Sequence, residues 1–376
     1  MRIGIEAQRL FRKNKHGMDI VALELIKALQ KTDTCNQYFV FVKADQDSSC
    51  ITPTENFEII TTRKYPYLWW EQVVLRKLSK KYRLDLLHCT CNTAPIALSV
   101  PLVVTIHDII YLERINLRKG SWYQIFGNLY RRGVVPLIAR TTKKVITVSE
   151  YEKEVIKKKF PNLDLVAIYN GLQDSFVKIT DPEILQDVKE QYRLPNEFIL
   201  FIGNTDPKKN LIGVLRAYSI LVNKGQPIPK LVVLDIKESF LEKMILKINP
   251  ELKNHIVISG YVPNYQLPAI YSLATLFMYP SLRESFGIPL LEAMACGTPI
   301  ITSSTSSMPE VVEDAALLVN PLHPEQIANA IETLLTDSAA RARLVANGYE
   351  RVKTFNWLNN AKQTLSIYIE VFNKKE

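Results

Sequence analysis

The sequence predicts an α/β protein of two facing, Rossmann-like parallel-sheet domains, and three observations carry that prediction. Short β-branched runs alternate with amphipathic helical stretches along the chain, the pattern of parallel α/β sheets. The 376 residues are too many for one ordinary core and suit two domains, and 47% hydrophobic with 23% charged residues is globular usage. A polar stretch near the middle, with Asp181-Pro182 and Leu194-Pro195 as breakers, lacks any strand signal. The domains expected are therefore 1–175 and 198–355, joined by a linker at 176–197, with a final helix at 356–376.

In the first half, strands are expected at 2–6, 38–42, 57–61, 86–88, 102–106, 144–148 and 165–169, each a short run rich in Ile, Val, Leu, Phe or Tyr. Helices fall after Gly17, at 68–82, at 122–139 and from Ser149, whose hydroxyl is a natural N-cap with Glu152 three residues on. The second half repeats the alternation, with strands at 198–203, 230–236, 256–260, 276–279, 299–302 and 316–319. Apolar residues at helical spacing mark 357–372. Neither half carries a Gly-x-Gly-x-x-Gly after its first strand, so a dinucleotide fold has no fingerprint here. Ligands of open α/β sheets bind at the carboxyl ends of strands, which directs attention to the turns that follow them.

No run of 18 apolar residues occurs, and the first six residues read as a strand rather than a charged leader before an apolar segment. The chain is expected in the cytoplasm, with peripheral contact to the inner face of a membrane. Five scattered cysteines do not form a disulfide framework. His88 beside Cys89 and Cys91 lacks the second ligand pair of a zinc knuckle. Residues 1–175 hold 27 Lys and Arg against 17 Asp and Glu, a balance of +10, whereas the remainder is near neutral. Such asymmetry points to an acidic partner of the first half, membrane surface or nucleic acid being the generic classes. The aromatic and basic segment from Arg63 to Arg83 is the best candidate for that contact.

The most informative stretch is 276–310. Pro289 is tolerated in the first turn of a helix but not in its interior, so Glu284 sits on the preceding loop and Glu292 on the helix. Two carboxylates then converge from different elements. Ser285, Phe286 and Gly287 offer backbone N–H groups at a positive helix terminus, suited to a diphosphate. Glu292 suits the vicinal hydroxyls of a ribose, and Glu284 the sugar. Tyr279-Pro280-Ser281, Glu284-x-Phe286-Gly287-x-Pro289, Leu291-Glu292-Ala293-Met294-Ala295-x-Gly297-x-Pro299 and Met308-Pro309-Glu310 resemble the Glu-x7-Glu signature of the retaining, group 1 glycosyltransferases of family GT4. Ser285 stands where that family usually carries Gly. The resemblance implies the GT-B fold, with the two domains flanking a cleft and the last helix crossing back to the first.

Further segments extend the likeness over nearly all of residues 2–370. Gly203, Lys208, Lys209 and Asn210 follow a strand and open a helix, where a leaving diphosphate needs cations and N–H donors. Lys208 takes the place of the family's Arg and so supplies a point charge rather than a fork. Asn204 stands where other branches place an Arg. His107 and Asp108 end a first-domain strand and resemble the family's acceptor-side His-Asp segment, although Asp108 is equally suited to capping. Gly17 follows the basic run 12–16, and its N–H is expected to approach the donor phosphate.

The resemblance thus implies a retaining hexosyltransferase that moves a mannose-type hexose from a nucleoside diphosphate, GDP-mannose by likeness, to a glycan or lipid-linked hydroxyl acceptor. His107, Glu284 and Lys209 are the expected catalytic residues; Gly17, Gly203, Lys208, Lys209, Ser285, Phe286, Gly287 and Glu292 bind the donor. No metal or other cofactor is expected, because the only Asp-x-Asp, Asp45-Gln46-Asp47, lies in a Ser-rich polar loop that reads as a solvated turn. Nucleic acid is not an expected partner. The rival readings are a same-fold sugar-nucleotide epimerase or phosphorylase, and a non-catalytic protein binding membrane or nucleic acid through its basic half.

Overall fold

The β-rich runs of the first half become seven strands of one all-parallel sheet: β1 (Arg2–Glu6), β2 (Gln37–Lys43), β3 (Phe57–Thr62), β4 (Leu86–Cys89), β5 (Leu102–Thr105), β6 (Lys144–Thr147) and β7 (Leu165–Ala167), ordered β3-β2-β1-β4-β5-β6-β7. Those of the second half form a six-stranded parallel sheet: β8 (Phe198–Ile202), β9 (Lys230–Leu234), β10 (Ile256–Gly260), β11 (Leu276–Tyr279), β12 (Ile300–Ser303) and β13 (Leu317–Val319), ordered β10-β9-β8-β11-β12-β13. This computed structural model describes residues 1–15, 17–112, 122–203, 205–225 and 227–374. It divides into one unit of Met1–Gly171 with Asn356–Glu376 and a second of Leu172–Phe355. Both are α/β units of the expected class.

Helices cover both faces of each sheet, which is why the central strands read as continuous apolar runs. In β8 the four residues Phe198, Ile199, Leu200 and Phe201 are all buried, and β11 is buried throughout. In each sheet the strand order reverses beside the first strand of the unit, between β1 and β4 and between β8 and β11. These are the switch points where the carboxyl ends of parallel strands leave a crevice for ligands.

The C-terminal helix Trp357–Asn373 belongs to the first unit. It lies against the helix Gly17–Thr32, and its Tyr368 hydroxyl reaches His88 Nδ1 at 2.7 Å. Asn360 Nδ2 donates to Tyr169 O at 2.8 Å and Lys144 pairs with Glu370 at 3.2 Å. Gly171 permits the chain to return there, since a Cβ at that position would lie 2.5 Å from the Trp357 nitrogen. The stretch 176–197 carries a helix, Pro182–Gln191, capped by Asp181 and packed on the helix Leu267–Leu273 of the second unit. Only Val188 of that helix is buried, so its apolar signal is weak in the sequence. The helix expected at 68–82 is broken into α (Tyr67–Trp69), π (Trp70–Val74) and α (Leu75–Lys81) segments.

Candidate active site

The site of the second unit is built at the β8/β11 switch point. After β8 the chain makes a one-turn 3-10 helix, Pro207–Lys209, capped by Asp206 Oδ1 accepting from Lys208 N at 3.0 Å. Asn210 then adopts the left-handed region, φ 61°. Its Nδ2 donates to Pro280 O at 3.0 Å and Pro321 O at 2.7 Å, which ties this turn to the residue following β11. Lys208 O accepts from Leu282 N at 2.7 Å and completes the tie. Two neighbouring glycines allow the packing. A Cβ on Gly203 would lie 2.5 Å from the Phe201 ring, and one on Gly213 would lie 2.6 Å from the Asn210 amide.

Held in this way, the Lys209 ammonium lies 2.8 Å from Glu284 Oε1 and 2.7 Å from the Tyr279 hydroxyl, over the Tyr279 ring at 4.7 Å. Lys208 is the more exposed of the two cations, 3.9 Å from Asp206. The strand-turn-helix expected from the sequence thus brings Lys209 and Glu284 together, although the two residues are 75 apart in the chain. Asn204 lies outside the described residues.

The Glu284 loop is fixed from the other side by the segment after β12. Glu284 N donates to Ser306 Oγ at 3.1 Å, while Glu284 O accepts from Ser307 Oγ at 3.0 Å. Ser307 Oγ also lies 3.0 Å from Phe286 O. Phe286 is buried, with its ring 5.7 Å from that of Phe355, so its side chain anchors the loop. Ser285 is half-buried between them. Gly287, φ 108°, is the N-cap of the helix Ile288–Ala295, a backbone conformation that a side chain would strain. Pro289 lies in the first turn, as the sequence requires.

Glu292 faces inward from that helix and accepts a hydrogen bond from the Tyr271 hydroxyl at 2.9 Å. Burial pushes its carboxyl up to about 7 against the lowering effect of that hydrogen bond. Two acids of unlike character result. Glu284 is neutralised by a lysine, and Glu292 is a buried carboxyl that gains or loses its proton near neutrality.

Three expected residues lie in the first unit. His107 follows β5, is buried, and donates from Nε2 to the Thr90 carbonyl at 2.9 Å. A carbonyl only accepts, so the proton is on Nε2 and Nδ1 keeps its lone pair. Burial lowers the His107 pKa and favours the neutral ring. Asp108 Oδ1 accepts from Ile110 N at 3.0 Å, at the start of the 3-10 turn Ile110–Leu112. Gly17 begins the helix Gly17–Thr32, and a Cβ there would meet nothing within 4 Å. Its placement makes no steric demand for glycine.

Several residues that shape the site carried no signal in the sequence. Tyr271 lies 21 positions from Glu292 on a helix whose tyrosine reads as core. Ser306 and Ser307 belong to a serine-rich turn that reads as solvated. Asn210 was legible only as part of a motif; its left-handed φ and its two carbonyl partners explain why an amide with two donors stands there.

Comparison with known proteins bears on the family and the fold. The profile of the glycosyl transferases group 1 matches residues 185–351, and that of glycosyltransferase family 4 matches residues 16–176. The O-antigen chain mannosyltransferase B of Escherichia coli is 32% identical over 234 residues, 61% of each chain. The serotype-specific mannosyltransferase WbdA of the same organism is 33% identical over 264 residues, 69% of this chain and 32% of that one. The chain therefore spans less than two thirds of these relatives. HepE of Anabaena, solved with UDP and glucose, superposes with a TM-score of 0.74 at 20% identity, over 98% of this chain and 100% of that one, which establishes likeness of fold.

Proposed function

The chain belongs to the group 1, family 4 glycosyltransferases of GT-B fold, and from that premise we propose that it transfers a mannose-type hexose from a nucleoside diphosphate to a hydroxyl acceptor in glycan assembly. The observation that carries the proposal is the Lys209–Glu284–Tyr279 cluster at the β8/β11 switch point, with Glu292 on the adjoining helix. Relatives named as mannosyltransferases support mannose as the sugar.

The diphosphate of the donor carries the negative charge that grows as the glycosidic bond breaks. A preorganised cation at that position stabilises the transition state more than the ground state. Lys209 is that cation. On donor binding its ammonium exchanges part of its contact with Glu284 for phosphate oxygens, and the freed carboxylate orients hydroxyls of the sugar. Lys208 and amides of the 285–287 segment add to the electrostatic field, so that in this proposal the reaction needs no divalent metal. Glu292 accepts hydrogen bonds from ribose hydroxyls. Retention follows from the family likeness: the acceptor attacks the face from which the nucleotide leaves, and the departing phosphate takes the acceptor proton.

Thermal shift against a panel of nucleotide sugars, GDP-mannose and UDP-glucose among them, tests the donor. A ligand at 100 times its dissociation constant adds about 2.7 kcal/mol. Nucleotide release that depends on added acceptor supports transfer; product without acceptor, or use of free phosphate, supports the epimerase or phosphorylase reading.

A specific surface also favours contact with an anionic membrane. Leu68 and Trp69 are about half exposed beside the exposed cations Arg76, Lys77, Lys80 and Lys81, whereas Trp70 is core. No helix among the described residues is long and apolar enough to cross a membrane.

A further inference from the structure

The β1/β4 switch point of the first unit carries a second polar cluster. Glu6 ends β1 and is 7% exposed. Its Oε1 accepts from Gln8 N at 2.9 Å and faces Trp70 Nε1 at 3.4 Å, while Oε2 makes no hydrogen bond among the described residues. Gln8, also 7% exposed, has a buried side-chain Nε2 without a hydrogen-bond partner. The guanidinium of Arg9, half-buried, stands 5.6 Å over the Tyr67 ring and makes no hydrogen bond or ion pair among the described residues. Glu71 forms the adjoining wall and is satisfied: one oxygen accepts from Thr93 Oγ1 and the other from the Tyr130 hydroxyl, each at 2.5 Å.

Within four residues, then, one carboxylate oxygen, one amide and one guanidinium remain unused at a switch point. Buried polar groups in folded proteins are almost always paired, so an open set of this kind marks where water or a ligand completes it. The set holds both an acceptor and donors. A sugar hydroxyl both gives and takes a hydrogen bond, so it satisfies each group at once. A phosphate offers only acceptors and would meet two buried carboxyls, Glu6 and Glu71. The Tyr67 ring adds the apolar and aromatic surface that covers the carbon face of a pyranose.

We propose that Glu6, Gln8 and Arg9, against Tyr67 and Glu71, bind a neutral hexose unit of the acceptor, so that the acceptor is recognised by its glycan end rather than by a lipid phosphate. The proposal rests on the transferase reading above and deepens it.

Methyl α-D-mannopyranoside, titrated into the full chain and followed by saturation-transfer NMR, tests the site with a defined probe. Wild type is expected to give saturation transfer to the glycoside. Gln8→Ala and Arg9→Gln are each expected to weaken it at least fivefold, with thermal melting showing that both variants are folded. Inorganic phosphate is expected not to displace the glycoside. No transfer in wild type, equal affinity in folded variants, or displacement by phosphate overturns the proposal. Calorimetric binding of GDP-mannose and UDP-glucose to wild type separates the two levels. Failure of both donors to bind undermines the transferase reading, whereas donor binding without glycoside binding removes this site alone.

Discussion

Lys209 Nζ and Glu284 Oε1 lie 2.8 Å apart, joining the turn after β8 to the loop after β11 with both side chains largely buried. The pair neutralises each charge within the second unit, and in the function proposed above the ammonium serves the diphosphate and the carboxylate the sugar. Removing either partner leaves the other buried and uncompensated, which costs far more than an exposed ion pair is worth.

Lys209→Ala is accordingly expected to lower kcat by a factor of about 100 to 1,000, the scale for one preorganised donor to a developing charge. Affinity for the nucleoside should change less. Steady-state kinetics with calorimetric nucleotide binding check the split. The Lys209→Met, Glu284→Gln double variant should recover stability lost in Lys209→Met, without recovering turnover. A chelator should leave wild-type activity unchanged; loss of activity restored by magnesium or manganese refutes the metal-free reaction.

Glu292 gives a pH dependence of definite sign. Its folded pKa is raised to about 7 from 4.5, chiefly by burial, so between those values the folded chain holds a proton that the unfolded chain has released. Stability from this group is therefore largest at low pH and falls as pH rises through that window, by on the order of 3 kcal/mol in all. Glu292→Gln removes the buried charge and keeps an oxygen for Tyr271. The melting temperature of the variant relative to wild type should rise from pH 5 to pH 8. Nucleoside diphosphate affinity should fall by about 1 to 3 kcal/mol, because an amide makes weaker hydrogen bonds to ribose. Unchanged affinity in folded protein would sink the ribose assignment.

Tyr368→Phe tests how the last helix is fixed to the first unit. The phenol is the partner of His88 Nδ1, and His88 Nε2 meets Thr105 Oγ1 at 2.8 Å. Burial lowers the His88 pKa to about 3, so the ring is neutral and both nitrogens depend on these partners. Loss of the phenol leaves a wholly buried nitrogen unsatisfied, at a cost of about 1 to 3 kcal/mol. Chemical denaturation measures it, and a cost below a few tenths would show that the contact does not hold the helix.

What could be read in the chain follows from the range of each signal. The sheets were legible because their strands are buried on both faces and read as apolar runs, as in 198–202. Glu284 and Glu292 were legible because Pro289 divides loop from helix within one local stretch. The Lys209–Glu284 bond was not, since it depends on β8 and β11 being neighbours across a crossover. Glu6 reads as the end of the first strand, and nothing local singles out Gln8 or Arg9; the unused Gln8 amide and Arg9 guanidinium become visible only once Trp70 and Tyr67 pack around them. The helix Pro182–Gln191 was concealed by its wet face, which makes its composition that of a linker.

The final prediction concerns the surface of the broken helix 67–81. The π segment Trp70–Val74 places Trp70 in the core while Trp69, one residue earlier, is half exposed with Leu68. Arg76, Lys77, Lys80 and Lys81 are exposed on the following turns. An apolar edge flanked by cations suits an anionic bilayer, each near-surface cation contributing about 1 kcal/mol. Co-sedimentation with vesicles of phosphatidylglycerol and phosphatidylcholine should recover wild type at low salt. Recovery should fall as ionic strength rises, because the Debye length shrinks from about 10 Å at 0.1 M toward 3 Å at 1 M. Lys77, Lys80 and Lys81 replaced together by Gln should weaken the electrostatic attraction, and Trp69→Ala the apolar insertion, so the two losses should differ in salt dependence. Equal recovery of wild type and the triple variant at low salt excludes this face from membrane contact.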